Sequence, residues 1–309
     1  MSKIEIHSTA IVQDSSDLTS KTKFLRVSFG LLGNTRKVKD ATLNTTAPAK
    51  SRFKTSKDLL DSPELDAVRQ FDAVLRKYLE RKCLPFVDWP GVLVVPDQFV
   101  PQVWATLLQH REERHALVAN FLSRYPELKD EAKVDLGDEY EEENYPPIEE
   151  VSKKFRFYWS IRTFQTPEEL KEISEELYQE QKVSAQAQFS SAMEEITAVL
   201  RQKFFEMTEH LRDKLTPSPD GKKKKLYDSS VVSLKEFLDD FDVRDITNDT
   251  QLREQVAKAR ALLDDGDVST LRTSEEFRTK VFAGMDEITQ TLGTLVQEVP
   301  SRKFRLDED

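Results

Sequence analysis

The sequence predicts a mainly α protein: an elongated helical bundle built on a long helical hairpin or coiled coil, with a small β-sheet element. Three observations carry this. From Pro167 to Leu215 nothing interrupts a helix once Pro167 has opened it, so the segment reads as one rod of about 70 Å at 1.5 Å per residue. The chain holds only 8 Gly against 56 acidic residues, with 38% hydrophobic and 33% charged content. That is the balance of long helices with wide solvated faces rather than of a turn-rich sheet protein. A second apolar stripe near the C-terminus has the spacing and length to lie antiparallel on the far half of the rod.

Taken in order, residues 1–22 are rich in Ser and Thr and are expected to be loosely ordered. Phe24 to Gly30 alternates in part, and a turn at Gly33-Asn34 leads to Thr35–Val38. A short β element follows, with Gly30 and Gly33 expected to supply unusual backbone angles. Residues 40–57 read as an exposed connector. Ser62-Pro63-Glu64 starts a helix: a hydroxyl cap, a proline whose missing amide is not needed in the first turn, and an acid at the positive end of the dipole. Val68, Phe71, Leu75, Tyr78 and Leu79 share one face of it, and Pro85 ends it near Cys83. Gly91 to Pro96 is a short apolar strand.

Asp97 is placed to cap a helix that runs to Tyr125 and stops before Pro126, apolar at both ends and polar at its middle. Residues 127–150 are acid-rich, with Lys129 and Lys133 their only bases, and read as a solvated loop or as a lure for a basic partner. Lys154 to Phe164 alternates cleanly. Phe155, Phe157, Trp159 and Ile161 lie on one side, Arg156, Tyr158, Ser160 and Arg162 on the other, and the strand should pair with Phe24–Gly30 or with Gly91–Pro96.

Thr166-Pro167-Glu168-Glu169 forms a capping box that opens the long helix. Leu170, Ile173 and Leu177 make a first stripe, and residues 179–188 are almost featureless. Phe189, Met193, Ile196, Leu200, Phe204, Met207, Leu211 and Leu215 then step by about 3.7 residues. Residues 217–228 break the helix. Two shorter helices, over 233–241 and 249–263, precede a second capping box at Thr273–Glu276. Phe277, Val281, Met285, Ile288, Leu292, Leu295 and Val299 continue at heptad-like steps. The domain reading is therefore a loose terminus over 1–22, a mixed α/β base over 23–165 with an acidic loop at 127–150, a long-helix hairpin over 166–300 and a tail at 301–309.

Several chemistries are disfavoured. The net charge of −10 argues against nonspecific nucleic-acid or membrane binding, and the single Cys83 excludes an internal disulfide or a cysteine zinc site. No apolar run reaches membrane-spanning length and the N-terminus lacks an apolar leader core, so a cytoplasmic protein is expected. His110 and His115 resemble a zinc-protease pair but stand five apart, about 140° around a helix, and a polar pair such as Glu112 with His115 is the simpler reading. Asp264-Asp265-Gly266-Asp267 lacks the spacing of a calcium loop and reads as a helix end with Gly266 as its left-handed cap. No phosphate-binding glycine loop, dinucleotide fingerprint or nucleophile elbow occurs, so no catalytic residue, cofactor or metal ligand is assigned and the chain is expected not to be an enzyme. Nucleic-acid contact, if any, falls to Lys222, Lys223, Lys224, Lys225, Arg156 and Arg162.

Three segments, FLRVSFGLLGNTRKV (residues 24–38), DAVRQFDAVLRKYLERKCLPF (66–86) with GVLVVP (91–96), and FLSRYPE (121–127), resemble a family of uncharacterised bacterial proteins of phages and integrative elements. Members are often encoded beside a MoxR-like or cobaltochelatase-like ring ATPase and a von Willebrand-type protein. The resemblance implies mobile-element biology and an ATPase partner, and carries over no catalytic residues. The expectation is a helical adaptor or assembly protein acting through self-association or a MoxR-like ATPase; the alternative is a nucleic-acid-associated factor. Its packing and interaction residues would be Leu170, Ile173, Leu177, Met193, Ile196, Leu200, Phe204, Met207 and Leu211 with Val281, Met285, Ile288, Leu292 and Leu295.

Overall fold

A computed structural model describes residues 21–38, 56–86, 91–163, 168–216 and 224–297. The expected loose terminus up to residue 20, most of the connector at 40–57, Thr166-Pro167, the turn at 217–223, Val299 and the tail at 301–309 lie outside them. The protein is mainly α with a small sheet. In chain order the elements are β1 (Thr22–Phe29), β2 (Thr35–Lys37), β3 (Ser56–Asp58), α1 (Pro63–Lys82), β4 (Leu84–Pro85), β5 (Val92–Pro96), α2 (Val100–Leu136), α3 (Ile148–Ser152), β6 (Phe157–Arg162), α4 (Leu170–Ile173), α5 (Glu175–Leu215), α6 (Asp228–Arg244), α7 (Thr250–Asp264), α8 (Val268–Thr273) and α9 (Glu275–Gln297). One sheet has the order β4-β5-β1-β6, and β2 and β3 form a second. β1 runs antiparallel to β5, with Thr22 opposite Pro96 and Arg26 opposite Val92. The alternating strand β6 thus takes the first of its two expected partners.

The chain divides into two compact units. The first comprises Met1–Arg26, Glu80–Val100 and Ile161–Asp309; the second Val27–Leu79 and Pro101–Ser160. Residues 80–100 therefore join the helical C-terminal part, which a division at residue 165 does not anticipate.

The first unit is organised by the pair α5 and α9. Arg278 donates to the Lys214 carbonyl at 2.7 Å and Arg201 to the Leu295 carbonyl at 3.5 Å, which fixes the two helices as antiparallel. Ile196, Leu200, Phe204 and Leu211 of α5 are fully buried with Val281, Met285 and Leu292 of α9, and α6 and α7 complete the core through Leu234, Phe241, Leu252 and Val256. Asp249 serves two elements: its carboxylate caps α7 by accepting from Leu252 N at 3.1 Å and binds Arg201 of α5 at 2.7 Å. Gly284 lets α9 approach Leu262 of α7, since a Cβ there would meet the Leu262 side chain, with Cδ2 at 2.8 Å.

The long helix differs from the expected rod. It begins at Glu175, not Pro167, because Ser174 is extended (φ −164°, ψ 125°) and its hydroxyl accepts from Leu177 N. Glu175 and Glu176 follow in the first turn, where the helix dipole favours them. Leu170 and Ile173 belong to the separate turn α4. A parallel correction holds for α9, capped by Ser274 through Phe277 N rather than by Thr273, which ends α8. Gly266 is not in the left-handed region; it provides room instead, since a Cβ there would meet the Phe277 ring. Asp267 beside it caps α8 through Thr270 N at 2.8 Å.

In the second unit, α1 starts as expected, with the Ser62 hydroxyl accepting from Leu65 N. Asp97 does not cap α2; it pairs with Lys23 at 2.7 Å, and a 3-10 turn precedes the helix. α2 then passes through Pro126. An interior proline costs roughly 3 kcal/mol, but the buried stripe continues across it through Phe121, Tyr125, Leu128 and Ala132, and Tyr125 Oη donates to the Pro146 carbonyl. That burial outweighs the lost amide bond. The acid-rich segment is accordingly ordered rather than a solvated loop. It finishes α2, makes 3-10 turns at 137–139 and 142–144, forms α3, and buries Tyr145 with its hydroxyl on the Leu59 carbonyl at 2.8 Å. Lys129 pairs with Glu142 and Arg124 with Glu127. Neither Gly30 nor Gly33 has a positive φ. Gly30 is needed for close approach, since a Cβ would collide with the Lys154 carbonyl and lie 2.9 Å from Arg156 N.

Candidate functional site

The expected interaction residues separate into two sets. Ile196, Leu200, Phe204 and Leu211 with Val281, Met285, Ile288, Leu292 and Leu295 are buried against one another, and Met193 and Met207 pack at the edge of the same core. These residues hold the first unit together, and only the two methionines among them reach the surface. Of the first stripe, Leu170 is half-buried, while Ile173 and Leu177 are exposed. The buried residue there is Tyr178, whose ring carries the Lys171 ammonium at 4.5 Å. Beyond it, residues 179–187 are exposed except for half-buried Ala185, with Val183 64% exposed, and packing resumes at Phe189. About two and a half turns of α5 are solvated all round.

Of the expected nucleic-acid contacts, Arg156 belongs to the second unit and Arg162, Lys224 and Lys225 to the first. Lys222 and Lys223 lie outside the described residues. Lys224 is engaged with Asp213 at 2.5 Å, and Lys225 sits over the Tyr227 ring at 4.8 Å. Arg156, just before β6, and Arg162, at its end, are exposed, as is Tyr158.

A third site, in the second unit, was not among the expected residues. Asp72 of α1 is fully buried, and its carboxylate accepts from two buried side chains of α2. Arg114 Nε donates to its two oxygens at 2.8 and 3.1 Å, and His110 Nε2 stands 3.0 Å from Oδ1. An ionised carboxylate can only accept, so His110 carries its proton on Nε2. The Arg114 fork reaches on to the carbonyls of Phe155 at 3.0 Å and Gly30 at 2.7 Å. Aromatic rings close the site: Phe71 stacks on the imidazole at 4.2 Å and 3°, and Phe157 and Phe29 lie 5.1 and 6.3 Å away. Two helices and the segments on either side of the Gly30–Arg156 backbone bond are thereby joined through one guanidinium. The chemistry is that of a desolvated ion pair that fixes register, with each polar partner already taken up by the fold. His115 is exposed and Glu112 accepts from Arg111, so the expected Glu112–His115 pair does not form. Among the described residues no group of three or more His, Cys, Asp or Glu is placed to hold a metal ion.

The signal for this site was present in the sequence. Asp72 falls in register with Leu65, Val68, Leu75 and Leu79, and His110 and Arg114 fall in register with Val103, Leu107, Val118 and Phe121. A charge inside an apolar stripe on each of two helices marks a buried pair.

Compared with family models, curated proteins and solved structures, the chain finds no match in any of the three. Among the described residues no helix is long and apolar enough to cross a membrane.

Proposed function

We propose that the protein is a non-enzymatic helical adaptor or assembly protein that makes its contacts through the solvated start of α5. The observation that carries this is the contrast along one helix: Ile196 to Leu211 are buried in the first unit, whereas residues 179–187 face water with Val183 exposed. A helix of this length costs conformational entropy to order, and tertiary packing offsets that cost only over its second half. A partner helix, from a second copy or from the ring ATPase that the N-terminal resemblance implies, would offset the rest. The double variant L177E/V183E tests it. Light scattering and co-purification with a ring ATPase encoded beside the gene should show association by the native chain. The variant should lose that association while melting at the native temperature. A native chain that is monomeric and retains no ATPase, or a variant that associates as well as the native chain, refutes the reading.

A second reading, a nucleic-acid-associated factor, is favoured in the second unit by Arg156, just before β6, and Tyr158 within it, both exposed as an aromatic–basic pair that could hold a single strand. Absence of single-stranded DNA binding at low salt would eliminate it.

A further inference from the structure

In the first unit, α6 presents Glu236, Asp240 and Arg244 at four-residue steps toward the end of α1. The first two are neutralised there: Arg81 binds Glu236 at 2.8 Å and Lys82 binds Asp240 at 2.6 Å. Arg244, one turn further, is only 3% exposed, and its Nε is buried without a hydrogen-bond partner. The Asp240 carboxylate attracts this guanidinium but is bonded to Lys82 instead. The Phe237 ring lies 5.6 Å from the guanidinium carbon, and the buried Cys83 thiol, pushed up to about 12 by desolvation, stays neutral. Lys203 of α5 reaches the same place with its ammonium on nothing better than the Glu80 carbonyl at 3.3 Å. Burial lowers Lys203 to about 8, with the Arg244 charge the next cause and the Glu80 carboxylate opposing it, and burial lowers Arg244 to about 10 against the attraction of Asp240. The nearby Glu206 is turned to Gln202 at 2.7 Å.

A buried guanidinium with a vacant donor calls for a water or an ion. Two adjacent cations from different helices, neither bonded to a carboxylate, select an anion over a neutral solvent molecule. A planar donor fork beside a point charge suits a tetrahedral oxyanion, which offers separate oxygens to each. We propose that Arg244 and Lys203 together bind a small tetrahedral oxyanion of the phosphate class, either inorganic phosphate or the terminal group of a phosphomonoester. The bound anion takes the Arg244 Nε hydrogen and the Lys203 ammonium on different oxygens, and it locks the end of α6 to α5.

The test is thermal melting of the full chain, followed by circular dichroism at constant ionic strength, with chloride exchanged for inorganic phosphate and, separately, for adenosine monophosphate. Phosphate should raise the melting temperature saturably. At a free concentration about ten times its dissociation constant, the folded-to-unfolded ratio should rise about elevenfold. A rise with inorganic phosphate alone identifies the free ion, and a larger one with the monoester identifies a phosphorylated metabolite. R244Q and K203Q should each abolish the phosphate-specific rise. Because Arg244 is buried, R244Q perturbs folding as well as binding, so K203Q on the less buried Lys203 decides by itself. No phosphate-specific rise in the native chain, or a full rise retained by K203Q, overturns the proposal.

Discussion

Replacing Asp72 with Asn keeps the shape of the side chain and removes the charge that holds Arg114. The carboxylate is fully buried and Arg114 is 3% exposed, so water cannot take its place. Arg114 Nε now has bonds of 2.8 and 3.1 Å to the two oxygens; in the variant it keeps at most a neutral acceptor, while its other nitrogens retain only the carbonyls of Phe155 and Gly30. Breaking a buried pair from one side leaves an uncompensated cation and costs about 3–5 kcal/mol. Urea unfolding followed by tryptophan emission in a W89F background measures this locally, because the remaining Trp104 and Trp159 lie edge to face 5.7 Å apart in the second unit. The double variant D72N/R114M should cost less than the sum of the single changes, by about 2 kcal/mol or more, since the second removes a charge already stranded. If D72N costs under about 1 kcal/mol, or if the two changes add, the ion pair does not organise this unit.

Four further outcomes follow from other parts of the fold. L200A removes a fully buried side chain from the α5–α9 contact and should cost about 2–5 kcal/mol in denaturant melts, whereas the partly buried Met207 should cost less when truncated. Lys203, pushed down to about 8 from 10.5, sheds its proton in the folded protein before the unfolded chain does. In phosphate-free buffer this lysine therefore adds a contribution to stability that rises between pH 8 and 10.5, by up to about 3 kcal/mol, and the stability difference between the native chain and K203M should grow over that interval. Cys83, held protonated to about 12, adds an opposite slope that sets in as the pH nears 9 and is common to both chains, so the difference between the native chain and K203M reads the lysine. G30A, whose Cβ would press on the Lys154 carbonyl, should lower the melting temperature of the second unit. S174A should speed amide exchange over the first turn of α5, equivalent to about 0.5–2 kcal/mol, and leave 196–211 unchanged.

Much of the fold can be read from side-chain periodicity. The stripes of α5 and α9 name most of their own core, and Ser62-Pro63 marks the start of α1 to the residue. Local punctuation misleads where packing opposes it. Pro126 carries a strong stop signal, yet Phe121, Tyr125, Leu128 and Ala132 bury an unbroken stripe through it. Net charge misleads in the same way over 127–150, because Tyr140 and Tyr145 stack at 4.6 Å and anchor a segment whose acids then find Lys129 and Arg124. The capping boxes fail by offering two hydroxyls in reach of one helix, and the serine next to paired glutamates wins at both 174 and 274. The buried Asp72 cluster is written in the registers of two helices separated by more than thirty residues. Each register reads as an isolated polar lapse until the two are superposed. The vacant Arg244 donor has no sequence signature, since its condition depends on where Glu236 and Asp240 spend their charges.

The solvated turns of α5 have a kinetic consequence. With no side chain of residues 179–187 locked into a core, the backbone there is held by its own ladder of amide bonds and little else, so the free energy of opening lies near the bottom of the range for the molecule. Those turns can melt and re-form many times while Ile196 to Leu211 never leave the core. Insertions, deletions or a protease cut near Lys182 would register as changes in reach rather than in fold. The anchored half thus sets the lifetime of the protein, and the unanchored half is free to vary at a rate the core does not govern.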